Sequence, residues 1–193
     1  MTDIAIILAS GSRYRRDLLA RLGLAFEAWA PEVDERPLPA ENPAGTARRL
    51  AHAKAEAARK RWAHALIIGS DQVAELDGRP MGKPGTIDRA RAQLRELSGR
   101  TARFHTALCV LGARHPVQEQ LVTTEVEFRR LDAAEIDRYL EREPALDCAG
   151  SAKSEGLGVA LLARLEGDDP TALVGLPLIA LSAMLRAEGI AIP

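Results

Sequence analysis

An apolar run, Ile4 to Leu8, passes into the small polar turn Ala9-Ser10-Gly11-Ser12 and then into an Arg/Leu-rich stretch from about Tyr14 to Leu22. A short continuous apolar run bounded by turn residues reads as a buried strand, and the periodic stretch behind it reads as a helix. Strand, tight turn and helix in immediate succession open an α/β sheet. The rest of the chain repeats the theme: a strand is expected from Phe26 to Ala30 and another over Leu66 to Ile68. Between them, Asn42 and Pro43 start an alanine-rich helix that runs to Arg61, since an Asn cap followed by Pro at the first helical position satisfies orphan amides.

The second half departs from a strict βαβ rhythm. Asp77-Gly78 predicts a hairpin turn, and Thr86 caps a helix that runs to Leu97 and ends at Ser98-Gly99. Two long strands follow, Thr101 to Leu111 and Gln118 to Arg130, joined by a turn around Gly112 and Pro116. Asp132 and Glu135 make a capping-box start for a helix to Arg142, a strand is expected over Leu157 to Leu165, and a last helix over Pro177 to Glu188. Adjacent strands joined by tight turns mean antiparallel pairs, so the expected architecture is a mixed sheet flanked by helices.

With 193 residues and 47% hydrophobic composition, the chain can bury a core as one domain. A net charge of −1 supplies no field for long nucleic acid but leaves room for a small anionic ligand. No apolar run is long enough to span a bilayer, and the start lacks the basic, extended form of a secretory leader; a cytoplasmic protein is expected. Cys109 and Cys148 read as reduced thiols without a catalytic role.

Four features offer chemistry. Ser10-Gly11-Ser12-Arg13-Tyr14-Arg15-Arg16 sets a flexible turn and three guanidiniums at a helix N-terminus. Cations there oppose the helix dipole, so an anion is the natural complement, although a solvated basic turn has the same composition. Lys54 follows Leu50 by four residues and Ala51 by three, on a small apolar stripe from which it either snorkels to water or reaches a buried anion. Asp71 stands at the end of the apolar strand after Gly69-Ser70, where α/β sheets bind ligands; the alternative is a turn-forming Asp. Glu32, Asp34 and Glu35 add carboxylates from a Pro-rich loop suited to Mg²⁺, or simply to solvent. Lys83 in Gly82-Lys83-Pro84 is a fixed cation. The Gly-x-x-x-x-Gly-Lys-Ser/Thr loop of P-loop enzymes is absent; His52 reads as a surface residue, and the four histidines lack ligand spacing, so a histidine zinc site is not expected.

Taken in order, Leu8-Ala9-Ser10-Gly11-Ser12-x-x-Arg15-Arg16, Val33-Asp34-Glu35, Leu50-Ala51-x-x-Lys54-Ala55, Gly69-Ser70-Asp71-Gln72-Val73, Gly82-Lys83-Pro84 and Val174-Gly175-Leu176-Pro177-Leu178 resemble the Maf family over nearly the whole chain. The resemblance implies a single two-lobed domain over 1–193. Its fold would be α/β and inosine triphosphate pyrophosphatase-like, with an elongated mixed sheet flanked by helices and two lobes around a cleft. It implies a nucleoside triphosphate pyrophosphatase that cuts between the α and β phosphates with a divalent cation, Mg²⁺ or Mn²⁺. Position by position, Ser10, Arg15, Lys54 and Lys83 become substrate-binding residues, Asp71 the catalytic proton acceptor, and Glu35 with Asp71 the metal ligands.

The forms Gly69-Ser70-Asp71-Gln72 and Ser151-x-Lys153-Ser154-Glu155-Gly156 look like the branch acting on 7-methyl-GTP, with Tyr14, Gln72 and Glu155 at the positions that select the base. An aromatic face and a nearby carboxylate suit a methylated guanine that carries positive charge. The chain departs from its relatives at Arg13, where proline is common, and at Tyr14, where tryptophan is familiar. The alternatives are a dTTP, UTP or broad modified-nucleotide pyrophosphatase, and a non-catalytic nucleotide-binding regulator of cell division. No membrane or long nucleic-acid partner is implied, and a homodimer is common among relatives.

Overall fold

The computed structural model describes residues 4–193. Seven strands and five α-helices follow in the order β1 (Ile6–Ala9), α1 (Arg13–Ala20), β2 (Glu27–Trp29), α2 (Pro43–Arg59), β3 (Leu66–Leu76), β4 (Arg79–Met81), α3 (Ile87–Leu97), β5 (Thr101–Leu111), β6 (Gln118–Phe128), α4 (Ala133–Arg142), β7 (Leu162–Glu166) and α5 (Leu178–Ala187). The strands join in one mixed sheet of order β2-β1-β3-β5-β6-β7, with β4 paired to β3 off that path. β1 runs parallel to both β2 and β3, whereas β3–β4 and β6–β7 are antiparallel. The expected α/β class and mixed sheet are therefore present.

The chain divides into two compact units. The first holds the described residues through Gln72, together with Thr106–Val122 and Asp169–Pro193; the second holds Val73–His105 and Thr123–Asp168.

In the first unit the strand period of two sorts side chains between two helical layers. Ile6 and Leu8 of β1, Leu66 and Ile68 of β3, Leu108 and Val110 of β5 and Val122 of β6 all enter one core with α1 and α5, through Leu18, Leu19, Leu181 and Leu185. The odd-numbered residues face the other way, toward α2, whose stripe Ala47, Leu50, Ala51, Ala55 and Ala58 is buried. Alanines let the helix lie low on the sheet. At Gly69 a Cβ would meet the Ala51 carbonyl oxygen and would stand 2.9 Å from the Ala55 Cβ, so only glycine allows this approach. Asn42 caps α2 by accepting from the Gly45 N–H at 2.7 Å, with Pro43 at the first helical position.

In the second unit, Asp77 and Gly78 take positive φ values of 50° and 77°, which makes the β3–β4 connection the two-residue hairpin turn expected. Thr86 caps α3, and Asp132 with Glu135 forms a complete capping box at α4. Two expectations are corrected. Leu157 to Leu165 is not one strand: Leu157–Leu161 is a 3₁₀ turn and only Leu162–Glu166 pairs as β7. Gly158 explains the break, because a Cβ there would strike the Lys153 backbone, so the chain is folded back on itself instead of extended. Asp71 does not end a strand either. β3 continues to Leu76, and what ends two residues before Asp71 is its pairing with β1, at Ala9↔Gly69.

Gly69→Ala is expected to lower stability by about 1–3 kcal/mol, since the new methyl group meets backbone that cannot rotate away. A urea midpoint equal to that of the parent chain would show that α2 does not depend on this contact.

Candidate active site

Two periodicities meet at the candidate site. Asp71 follows Gly69 by two strand positions and so shares its face, while Lys54 follows Ala51 by three helix positions and so shares the stripe that packs on Gly69. The ammonium and the carboxylate are thereby brought together: Lys54 Nζ lies 2.6 Å from Asp71 Oδ1, with both side chains about nine-tenths buried. The same nitrogen lies 2.6 Å from Glu35 Oε1, which comes in from the loop before α2 and is largely exposed. Lys54 thus reaches an anion instead of snorkelling to water. Two carboxylates converge on one cation.

The loop that delivers Glu35 is anchored to α2. Arg49 donates to both Glu41 oxygens, at 2.7 and 2.9 Å, and to the Arg36 carbonyl at 3.0 Å, next in sequence to Glu35. Glu41 also accepts from the Leu38 N–H and the Thr46 hydroxyl. The bonds from Arg49 lead the causes that bring the Glu41 carboxyl down to about 2. Asp34 is turned outward against Arg36, and Glu32 is exposed, so Glu35 alone of the three loop acids meets Lys54.

The Ser10 turn comes from the end of β1. Ser12 caps α1, and the buried Ser10 Oγ accepts from the Ser12 N–H at 3.2 Å and from Arg15 Nη1 at 3.3 Å. Arg15 Nε donates to the Gly175 carbonyl at 2.8 Å. Burial pushes the Arg15 guanidinium below its ordinary value, against the opposing pull of the Asp71 and Glu35 charges. The five expected residues Ser10, Arg15, Glu35, Lys54 and Asp71 therefore form one charged group in the first unit.

Even-numbered residues of β3 face the other layer. Ser70 donates to the Gly175 carbonyl at 3.1 Å, and Gln72 Nε2 donates to Thr106 Oγ1 and to the Ala172 and Leu173 carbonyls at 2.9 to 3.0 Å. The amide nitrogen of Gln72, expected to read a base, is thus engaged by the turn before α5. Ser70, Thr106 and Gly175 were not singled out from sequence. Gly175 sits at φ 123°, a conformation that side chains rarely adopt, and its carbonyl joins Arg15 to Ser70. The motif Val174-Gly175-Leu176-Pro177 was the available signal.

Tyr14, also in the first unit, is half-buried and carries the Arg13 guanidinium 4.8 Å from its ring centroid, with a hydrogen bond of 2.9 Å to its hydroxyl. Lys83 and Glu155 belong to the second unit. Lys83 is exposed on the loop between β4 and α3; Glu155 is exposed beside the 3₁₀ turn, where Lys153 lies 3.7 Å from Asp147. Cys109 and Cys148 are both free thiols, the first buried and the second half-buried.

A family model described as Maf-like protein matches residues 5–188. The chain belongs to the Maf family. Among its Maf relatives, the 7-methyl-GTP pyrophosphatase of Cupriavidus pinatubonensis is 60% identical over 186 residues, covering 95% of this chain and 93% of that one. The protein of the same name from Aromatoleum aromaticum is 58% identical over 189 residues and 97% of each chain. Solved structures are more distant: a nucleoside-triphosphatase, dITP/XTP pyrophosphatase, of Mycobacterium abscessus is 16% identical, covers 96% of this chain and 95% of its own, and superposes with a TM-score of 0.45. No helix among the described residues is long and apolar enough to cross a membrane.

A depressed carboxyl stabilises the fold fully above its unfolded value and loses that effect as pH falls to its folded one, so the contribution of Glu41 should fade between the ordinary range of about 4 and about pH 2. In Arg49→Met the Glu41 carboxyl, followed by carbon NMR, is expected to titrate nearer the ordinary range of about 4. An unmoved titration would mean that Arg49 is not what holds the loop.

Proposed function

We propose that this Maf-family chain hydrolyses the α–β phosphoanhydride of 7-methyl-GTP, giving 7-methyl-GMP and pyrophosphate. The observation that carries the reading is the Lys54 ammonium 2.6 Å from both Asp71 and Glu35, beside Arg15 and Ser10. The similarity to 7-methyl-GTP pyrophosphatases over almost the full chain supports the substrate.

The donor set fits a divalent metal. Two carboxylates already gather around one positive charge, and hard oxygen ligands with room for substrate phosphates suit Mg²⁺ or Mn²⁺. Glu35 and Asp71 would hold that ion, which supplies charge neutralisation on the polyphosphate. Asp71, within its largely buried setting, accepts the proton of the attacking water. Lys54 steadies the Asp71 carboxylate and presents charge to the phosphate oxygens. Arg15, fixed by the Gly175 carbonyl and Ser10, offers its remaining N–H groups to the same oxygens, and a planar guanidinium matches them geometrically. The Ser10 hydroxyl adds one more donor. Charge that develops as the pyrophosphate leaves is met by groups already in place, which is the source of the rate enhancement.

Lys83 is assigned to the phosphates and Tyr14 and Glu155 to the base. Tyr14 already stacks with a guanidinium, and a positively charged methylguanine makes the same kind of contact with an aromatic face. Glu155 supplies an acceptor for the guanine Watson–Crick edge. Gln72 acts through the turn it holds, as a positioning residue.

Pyrophosphate release with Mg²⁺ across 7-methyl-GTP, GTP, dTTP and UTP tests this reading. The expected result is a clear preference for 7-methyl-GTP, a kcat lower by roughly 10²–10⁴ in Asp71→Asn with the fold kept, and a narrower preference in Glu155→Gln. Release from none of the four nucleotides would remove the enzyme. Full turnover by Asp71→Asn would remove its role.

A further inference from the structure

Outside the charged group just described, the α2 face of the sheet carries a second cluster whose members come from three elements. His52 projects from α2, Cys109 from β5 and Glu119 from β6, and all three belong to the first unit. His52 Nδ1 lies 2.7 Å from Glu119 Oε1 and 3.8 Å from the Cys109 sulfur, and the three donor atoms lie within 4.8 Å of one another. Among the described residues, this is the group of three His, Cys, Asp or Glu donors that converges closely enough to share a metal ion.

We propose that His52, Cys109 and Glu119 form a binding site for a zinc-class divalent transition metal, separate from the hydrolytic centre. The nitrogen–sulfur spacing is near what such an ion needs. With Zn–N of about 2.0 Å and Zn–S of about 2.3 Å, tetrahedral geometry sets nitrogen and sulfur roughly 3.5 Å apart, against 3.8 Å here. The donor set also selects the ion: a thiolate and an imidazole favour zinc-like metals over Mg²⁺, which prefers oxygen ligands. Three protein ligands leave a fourth position, and the His52 and Glu119 side chains, 42% and 40% exposed, open it to water.

The thiol is better suited to this role than to redox or nucleophilic work. Reactive thiols are exposed and have lowered pKa values, whereas Cys109 is fully buried and its pKa is pushed up to about 12 by that burial and by the carboxylates Glu119 and Glu56. It is a neutral thiol until a cation arrives. Binding then breaks the Cys109 S–H bond, forms a metal–sulfur bond and releases one proton to solvent. Neutral His52, whose Nδ1–H donates to Glu119, moves that ring proton to Nε2 through solvent and coordinates through the freed Nδ1, so the net release stays at one proton and no electron is transferred. The filled site would staple α2 to β5 and β6, two residues from Lys54.

The test is titration of the full chain, freed of metal, with Co²⁺ and then Zn²⁺ in excess Mg²⁺, which occupies oxygen-rich sites. The expected result is one Co²⁺ with a thiolate-to-cobalt charge-transfer band, displaced by Zn²⁺ and accompanied by release of one proton. Cys109→Ser should lose the band. His52→Ala, a change on a partly exposed helix face, should weaken binding by about tenfold or more while its Mg²⁺-supported pyrophosphate release stays at the parent level. Asp71→Asn should keep the band, which separates this site from the hydrolytic one whether or not the proposed reaction holds. A saturated chain with no thiolate band, unchanged affinity in His52→Ala, or loss of the band in Asp71→Asn would each overturn the proposal.

Discussion

The ammonium of Lys54 is the contact on which the rest of the site depends. Taking a cation and a carboxylate out of water costs several kcal/mol per ion, and only close pairing with good geometry offsets it. Lys54 and Asp71 meet that condition at 2.6 Å, and Glu35 adds a second carboxylate at the same distance from its wetter side. Removing the ammonium would leave the buried Asp71 carboxylate without this ion pair and would take from Glu35 its contact with the cation. The charges that a polyphosphate and its cation would meet are therefore held in place before either arrives, which is what preorganised electrostatic catalysis requires.

That contact exists because α2 lies against the sheet at Gly69. A helix whose inward face is alanine, over a strand position with no Cβ, brings backbone close to backbone, and the first long side chain beyond the contact is Lys54. The opposite face of β3 performs a different task. Ser70 and Gln72 point to the turn before α5, where the Gly175 carbonyl holds Arg15. One strand thus supplies the acid from its odd positions and the support for the arginine from its even ones.

Much of this was legible in the sequence where local chemistry decides structure. The caps at Asn42, Thr86 and Asp132 and the turn at Asp77-Gly78 depend on residues within a few positions, and all formed as read. The length of β3 was not legible, because its apolar run stops at Ile68 while pairing partners distant in sequence carry it to Leu76. The Leu157 segment misled for a related reason: its apolar residues suggest a strand, but the close return to Lys153 is a tertiary fact. At the site, ordered motifs pointed to Ser10, Arg15, Glu35, Lys54 and Asp71, yet the support from Arg49, Ser70 and Gly175 is long-range and leaves little trace in spacing. The cluster of His52, Cys109 and Glu119 shows the limit plainly, since rules of ligand spacing apply within one element and these donors come from three.

The most direct measurement is calorimetric binding of the non-hydrolysable α,β-methylene analogue of 7-methyl-GTP to the parent chain and to Lys54→Met, with and without Mg²⁺. The account predicts that Mg²⁺ tightens binding to the parent, and that Lys54→Met binds more weakly and responds less to the ion. Equal affinities for the two proteins, with the same response to Mg²⁺, would contradict it.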